Sequence, residues 1–247
     1  MGSSSRLVEY YQALADHFGP QHWWPAQTRW EVVVGAVLTQ NTAWSNVERS
    51  LLNLRRARAL TVAGMRRLSS QQWLELIRPS GFAQQKAATL QGILRLIDQE
   101  HGGRLARLLA QPPRILRDQL LALRGIGPET ADCIVLYAAG QAVFVIDAYT
   151  RRIFERHGLG PARVRTRAYE SWRAWAEAEL PAEAPLYNEI HALLVSAGKH
   201  YCFKRAPDCT GCPLQSFLPR TRSLGSGKTA GNTHARLDPI STGGMNS

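Results

Sequence analysis

LRGIGPETADCIVLYAAGQAVFVIDAYTRR, residues Leu123 to Arg152, decides the fold of this chain. Gly125 and Gly127 flank Ile126 just before a helical pattern, and Asp147 stands between Ile146 and Ala148 further on. Both glycines sit where a tight turn needs positive φ, and Pro128 suits the first turn of a helix. The reading is a hairpin between helices whose second helix offers its first amides to an anion; the plain alternative is an ordinary helix–helix connection. An ionised acid between apolar neighbours needs a partner or a task. A structural role for Asp147, capping the helix through Arg152, is compatible with a chemical one.

The anion expected is a nucleic-acid phosphate. The chain has 247 residues, 45% of them hydrophobic, and a formal net charge of +11. That length can bury a real core, and that charge draws in a polyanion, although a solvated Arg-rich surface gives the same balance. No apolar run approaches the length of a membrane span, and Met1 to Arg6 lacks the pattern of a signal peptide. A soluble, cytoplasmic monomer that works on DNA, with no membrane partner, is the expectation.

Helical periodicity runs through most of the chain. It predicts helices over Leu7–His17, Trp30–Thr39, Ser45–Leu54, Gln71–Ile77, Gln85–Ile97, Pro113–Leu121, Glu129–Ala139, Ala142–His157, Arg165–Leu180 and Tyr187–Gly198. Strand signals are nearly absent, so the fold class is all-α, with two helical lobes and a cleft between them. The expected division is a helical barrel over 29–138 with the hairpin, and a second lobe from 1–28 plus 139–222. The Gly-, Ser- and Thr-rich stretch 223–247 reads as a disordered tail.

Taken together, LRGIGPETAD, FVIDAYTRR, SGFAQQKA at 80–87 and a C-terminal cysteine cluster resemble the helix-hairpin-helix DNA glycosylase superfamily that includes endonuclease III. The resemblance spans roughly residues 5 to 220. It implies a base-excision repair enzyme that flips a nucleotide from damaged double-stranded DNA and cuts its N-glycosidic bond. Asp147 matches the family's catalytic acid, whose carboxylate would stabilise an oxocarbenium-like sugar and orient water. In the endonuclease III branch the residue two after the second hairpin glycine is a lysine that forms a Schiff base. Here it is Glu129, which cannot be that nucleophile, so the resemblance implies a monofunctional glycosylase unless another lysine takes over.

His22-Trp23-Trp24-Pro25 and the Trp30–Trp44 segment with Gln40, Asn41 and Thr42 are similar to the 3-methyladenine DNA glycosylase III branch. That likeness implies a base pocket of Trp23, Trp24, Pro25 and Glu129 for a cationic alkylated purine, which binds well against aromatic faces. Gln40 and Asn41 would fill the hole a flipped base leaves, with a polar helix terminus as the bland alternative. Trp44 either stacks on bases or packs. Further DNA contacts are expected from Lys86, Gly125, Gly127, Thr130, Arg151, Arg152, Lys204 and Arg205, whereas His191 and Cys133, on apolar helical faces, read as core.

Three clustered cysteines, Cys202, Cys209 and Cys212, are better ligands than disulfide partners in a reducing compartment. Their spacing copies the family's iron–sulfur loop, but Leu218 occupies the fourth position. The alternatives are a [4Fe–4S] cluster with an unusual fourth ligand, a three-iron cluster, a zinc site completed by His200, or a loop without metal. Two other functions stay in view: an endonuclease III-type enzyme for oxidised pyrimidines with displaced lyase activity, and a non-catalytic DNA-binding module. Asp147 counts against the last, since an acid near phosphates weakens pure binding.

Overall fold

The computed structural model describes residues 5–21, 24, 26–161 and 168–219. Trp23, Pro25 and the tail expected over 223–247 lie outside the described residues, which contain twelve α-helices and no strand. In chain order these are α1 (Arg6–Phe18), α2 (Arg29–Leu38), α3 (Trp44–Arg56), α4 (Val62–Arg66), α5 (Ser70–Ile77), α6 (Ala83–Glu100), α7 (Leu105–Leu109), α8 (Pro113–Leu121), α9 (Pro128–Cys133), α10 (Ala148–His157), α11 (Tyr169–Glu179) and α12 (Ala184–His200). Local chemistry sets several starts. Thr28 accepts from the Glu31 amide, Ser69 and Gln72 form a reciprocal capping box, and Pro128 and Pro113 open their helices. No described helix is long and apolar enough to cross a membrane.

Buried side chains form two cores. One gathers α2 to α9 around Trp30, Val37, Leu54, Leu90, Ile93 and Ile134. The other gathers α1, α10, α11 and α12 around Leu7, Tyr10, Phe144, Phe154, Tyr187 and Leu193. Each large aliphatic or aromatic side chain taken fully from water contributes about 1.5–3 kcal/mol, so each core is a substantial source of stability. A π-helical turn, Ile134–Ala138, continues α9 along the seam, and Cys133 and Tyr137 pack against both cores.

One expected helix is shorter than its pattern. The helix predicted over Ala142–His157 begins only at Ala148, and Gln141 to Asp147 is extended. Val143, Phe144, Val145 and Ile146 are all buried, whereas a helix lying on a core would hide only one face of such a run. With no partner strand, the segment meets its backbone needs piecemeal: the Gln141 and Val143 amides donate to the Val135 and Gln141 carbonyls, the Phe144 amide to Glu177 at 3.0 Å and the Ile146 amide to Tyr169 Oη at 3.2 Å. This buried strap delivers Asp147 to the seam.

Candidate active site at the seam between the cores

The hairpin glycines do different jobs. Gly125 has φ 90°, and a Cβ there would lie 2.1 Å from Thr89 Oγ1, so the turn requires glycine on both counts. Gly127, expected to share the positive φ, is instead extended at φ −97° and caps α9. A Cβ at Gly127 would meet nothing within 4 Å, which leaves the start of α9 open on that side. Thr89 Oγ1 donates to the Arg124 carbonyl, and Gln40 Nε2 donates at 2.9 Å to both Gly125 O and Thr130 Oγ1. Gln40 and the buried Thr130 therefore brace the hairpin from within.

Lys86 also departs from its expected role. Its side chain is buried, and Nζ donates to Leu38 O at 2.8 Å and Ser80 O at 2.6 Å, so it is no exposed phosphate contact. Burial pushes its ammonium down to about 8. What Lys86 does is tie two turns together: the one after α2, carrying Asn41, and the one before α6, carrying Phe82. Both residues adopt left-handed backbone, at φ 53° and φ 48°, and both are exposed, Phe82 to 61%. An aromatic residue so exposed beside the polar Asn41 is a feature that sequence reasoning missed; the odd residue after Gly81 was its only signal.

Asp147 caps α10, accepting from the Thr150 amide at 2.7 Å through Oδ1, so the structural role assigned to it holds. Its Oδ2 lies 3.8 Å from His191 Nε2 on α12. Glu129, on the first turn of α9, faces the same space. Solvent reaches Glu129, yet the walls of the seam strip away enough water to push its carboxyl up to about 7, with the charge of Asp147 as second cause. The Cys133 thiol is pushed far up by burial, and then by Glu129, Asp147 and Asp132. Lys199 on α12 is pulled down by desolvation and held up by Asp147 and Glu48.

Aromatic rings wall the other side. Trp24 lies against the backbone of α2, where a Cβ on Gly35 would be 3.3 Å from its ring. The Trp24 ring packs on Tyr137 at 4.9 Å and meets Trp44 edge-on at 5.8 Å. Trp44 is half-buried, its Nε1 donating to Glu48 at 3.0 Å. Trp24, Tyr137, Arg29 and Asn188 are among the residues lining an open concavity of about 280 Å³. Asp147 and Glu129 do not line it; Tyr137 connects it to Asp147 through His191, whose Nδ1 is 2.5 Å from Tyr137 Oη. His191 is buried, as expected for a core residue, and also faces the acid.

A charged cluster behind the strap holds it in place. Asp132 is fully buried, takes Arg117 Nε at 2.6 Å and also bonds Tyr169, whose hydroxyl accepts from the Ile146 amide. Arg117, Asp132, Tyr169 and Ile146 thus form one line that ends a residue short of Asp147.

The arginines after the acid part company. Arg151 is partly exposed, with Nε on Glu155 at 3.2 Å. Arg152 donates to Cys202 O at 2.6 Å and Gly198 O at 3.2 Å, so it fastens the C-terminal loop and is not the phosphate grip expected of it. Arg156 donates to Cys202 Sγ at 3.0 Å and to Lys204 O. Lys204 and Arg205 themselves are exposed.

The same loop tests the metal expectation. A four-iron cube needs four ligands, and Leu218 supplies none. His200 Nδ1 is 2.9 Å from Ser196 O on its own helix, and Cys202 Sγ is occupied by Arg156. Burial, and then the neighbouring Cys202 and Cys209, push the Cys212 thiol up to about 11. Among the described residues no group of three or more His, Cys, Asp or Glu has the geometry to hold a metal ion. The donor set fits neither an iron–sulfur cluster nor a zinc site.

Comparison with known proteins decides the family. The pattern of the HhH-GPD superfamily of base-excision DNA repair proteins matches residues 34–177, a span that contains the hairpin, the strap and Asp147. This chain is an HhH-GPD superfamily protein. Like its relatives, this superfamily member has the hairpin fold over most of its length. It is 40% identical over 214 residues to a protein of Methanocaldococcus jannaschii provisionally named as a DNA repair glycosylase, covering 85% of this chain and 94% of that one. Its fold matches an endonuclease III–DNA complex with a TM-score of 0.73 at 20% identity, over 88% and 96% of the two chains. It also matches the H. pylori 3-methyladenine DNA glycosylase bound to 1,N6-ethenoadenine, with a TM-score of 0.64 at 27% identity over 78% and 97%.

Proposed function

We propose that this protein is a monofunctional DNA glycosylase that releases alkylated purines. The observation that carries the reading is the company of Glu129: a carboxyl at the start of the hairpin helix, coupled to Asp147, with the Trp24–Tyr137–Trp44 wall close by. A cationic base gains about 0.5–2 kcal/mol from each aromatic face it meets. Two carboxyls nearby favour both that cation and the positive sugar that forms as the base leaves. An alkylated purine is already a good leaving group, so the chain need only hold the base, set the Asp147 side chain beside the sugar and guide water. Asn41 and Phe82 fill the gap left in the duplex, and the open start of α9 with Arg151, Lys204 and Arg205 receives the backbone.

Lys199 supports a second reading. Its amine shares the field of Asp147 and Glu48, and desolvation lowers its proton affinity, which suits a displaced Schiff-base lysine of the endonuclease III type.

Duplexes carrying a methylated purine or thymine glycol separate the two. Release of methylpurine, with strand breaks only after hot alkali, is the expected outcome. Breaks at thymine glycol without alkali, lost in Lys199→Ala, would replace the first reading with the second. Asp147→Asn keeps an oxygen to accept from Thr150, so the cap survives; base release should fall by about 10²–10³-fold with duplex binding unchanged.

A further inference from the structure

The two oxygens of Asp147 are held unequally. Oδ1 takes the Thr150 amide at 2.7 Å, while Oδ2 faces His191 Nε2 at 3.8 Å, too far for a hydrogen bond. That nitrogen is buried and has no hydrogen-bond partner among the described residues. A buried polar atom in this state calls for an explanation, and a catalytic role is one of the few that apply. On the far side of the ring, Nδ1 is 2.5 Å from Tyr137 Oη, and the Tyr137 ring packs on Trp24 and lines the concavity. An unbroken line of side chains therefore runs from the aromatic wall to the acid.

The protons on that line can be assigned. Burial pushes the His191 imidazole down, outweighing the pull of Asp147, so the ring is neutral and carries one N–H. Burial, aided by nearby negative charge, pushes the Tyr137 phenol far up, so it keeps its O–H. If Nδ1 carried the imidazole proton, a bare lone pair at Nε2 would point at a carboxylate. With Tyr137 Oη–H donating to Nδ1, the proton sits on Nε2 and points at Oδ2.

We propose that His191 is a positioning residue for Asp147. Tyr137 holds it as the Nε2–H tautomer, and its unspent N–H closes on Oδ2 when a base seats against the Trp24–Tyr137 wall, fixing the carboxylate toward the sugar. No proton is transferred; the carboxylate gains a second donor. The inference rests on the glycosylase reading above and adds a link between base capture and the orientation of the acid. It explains why a histidine, and not an aliphatic residue, occupies a buried position on α12.

The test has two independent arms. Nitrogen-15 NMR of the full-length protein without DNA, at pH 7, reads the tautomer directly. A neutral Nε2–H ring that becomes a tautomer mixture in Tyr137→Phe is expected; an Nδ1–H or doubly protonated ring overturns the assignment. Single-turnover base release forms the second arm, on whichever lesion the wild-type protein processes. His191→Phe should slow release roughly 10-fold or more, the scale on which groups that orient a catalytic residue act, with duplex affinity within about 2-fold. His191→Gln, which returns an N–H near Nε2, should recover most of the rate, and Tyr137→Phe, which keeps the ring but not the hydroxyl, should lose part of it. Equal rates in all four proteins, or equal losses in the Phe and Gln variants, would sink the proposal. Should His191→Phe fail to fold, Tyr137→Phe and the NMR arm decide. Absence of base release by the wild-type protein would count against the glycosylase reading alone, because the tautomer is measured without substrate.

Discussion

The hairpin with its strap and the cysteine loop both carry spacing shared with one family, yet the molecule holds them in opposite ways. Around the hairpin, each buried polar group has a partner: Thr89 behind Gly125, Thr130 with Gln40, and Asp132 between Arg117 and Tyr169. In the loop after α12, Phe203, Lys204 and Arg205 face solvent; arginines donate to its carbonyls and to Cys202, and Cys202 and Leu214 are buried in the second core. Spacing says which side chains are within reach of one another. Burial and partners say how the geometry is enforced: by a buried polar network in the first region, by apolar anchors and surface arginines in the second.

That contrast can be broken by mutation. The largest effect is expected from Asp132→Ala, which leaves Arg117 only its Glu170 partner and frees Tyr169; breaking a buried pair costs up to about 3–5 kcal/mol, readable by urea unfolding. A loss under about 1 kcal/mol would mean that the strap is held mainly by its apolar side chains. Next comes Gly125→Ala. Its positive φ and the collision with Thr89 should cost about 1–3 kcal/mol, whereas Gly127→Ala, in open space with ordinary φ, should leave stability nearly unchanged. If Gly127→Ala nonetheless weakens duplex binding, close approach of the DNA backbone is the reason for that glycine.

A pH profile sharpens the chemistry. Glu129 is protonated below about 7 and ionised above it, so release of a cationic base should rise as pH passes through that value, and Glu129→Gln should flatten the limb. The sign for stability is opposite. With a folded-state pKa above the ordinary 4.5, the folded protein holds the extra proton between 4.5 and about 7, so this group's contribution to stability declines as pH rises through that window. The smallest change is expected from Cys209→Ser, a near-isosteric swap at a half-buried position, within about 0.5–1 kcal/mol by thermal unfolding. A large loss there would show that the thiol does more than its surroundings indicate.

Much of the site was legible from residue types alone. Asp147 as a cap, Pro128 at a helix start and Gly125 in a turn follow from steric and hydrogen-bonding rules that act over three or four residues. The exchanged roles of Lys86, Gln40 and Arg152 were not legible, because a cation or amide reads the same in sequence whether it meets phosphate or a carbonyl of its own fold. His191 looked like core on helical spacing, and it is buried; its place beside the acid, next to Tyr137, depends on how α12 crosses the seam.

By itself, then, the sequence determined an all-helical chain, the turn at Gly125 and the presence of a lone acid after a buried apolar run, because period, φ preference and capping are local. Tertiary structure decided that the run is an extended strap with its amides on Glu177 and Tyr169, that Lys86 lies inside the protein, and that Glu129, Asp147, His191 and Tyr137 share one seam. Those outcomes depend on contacts between residues tens of positions apart, where desolvation and available partners outweigh any local preference.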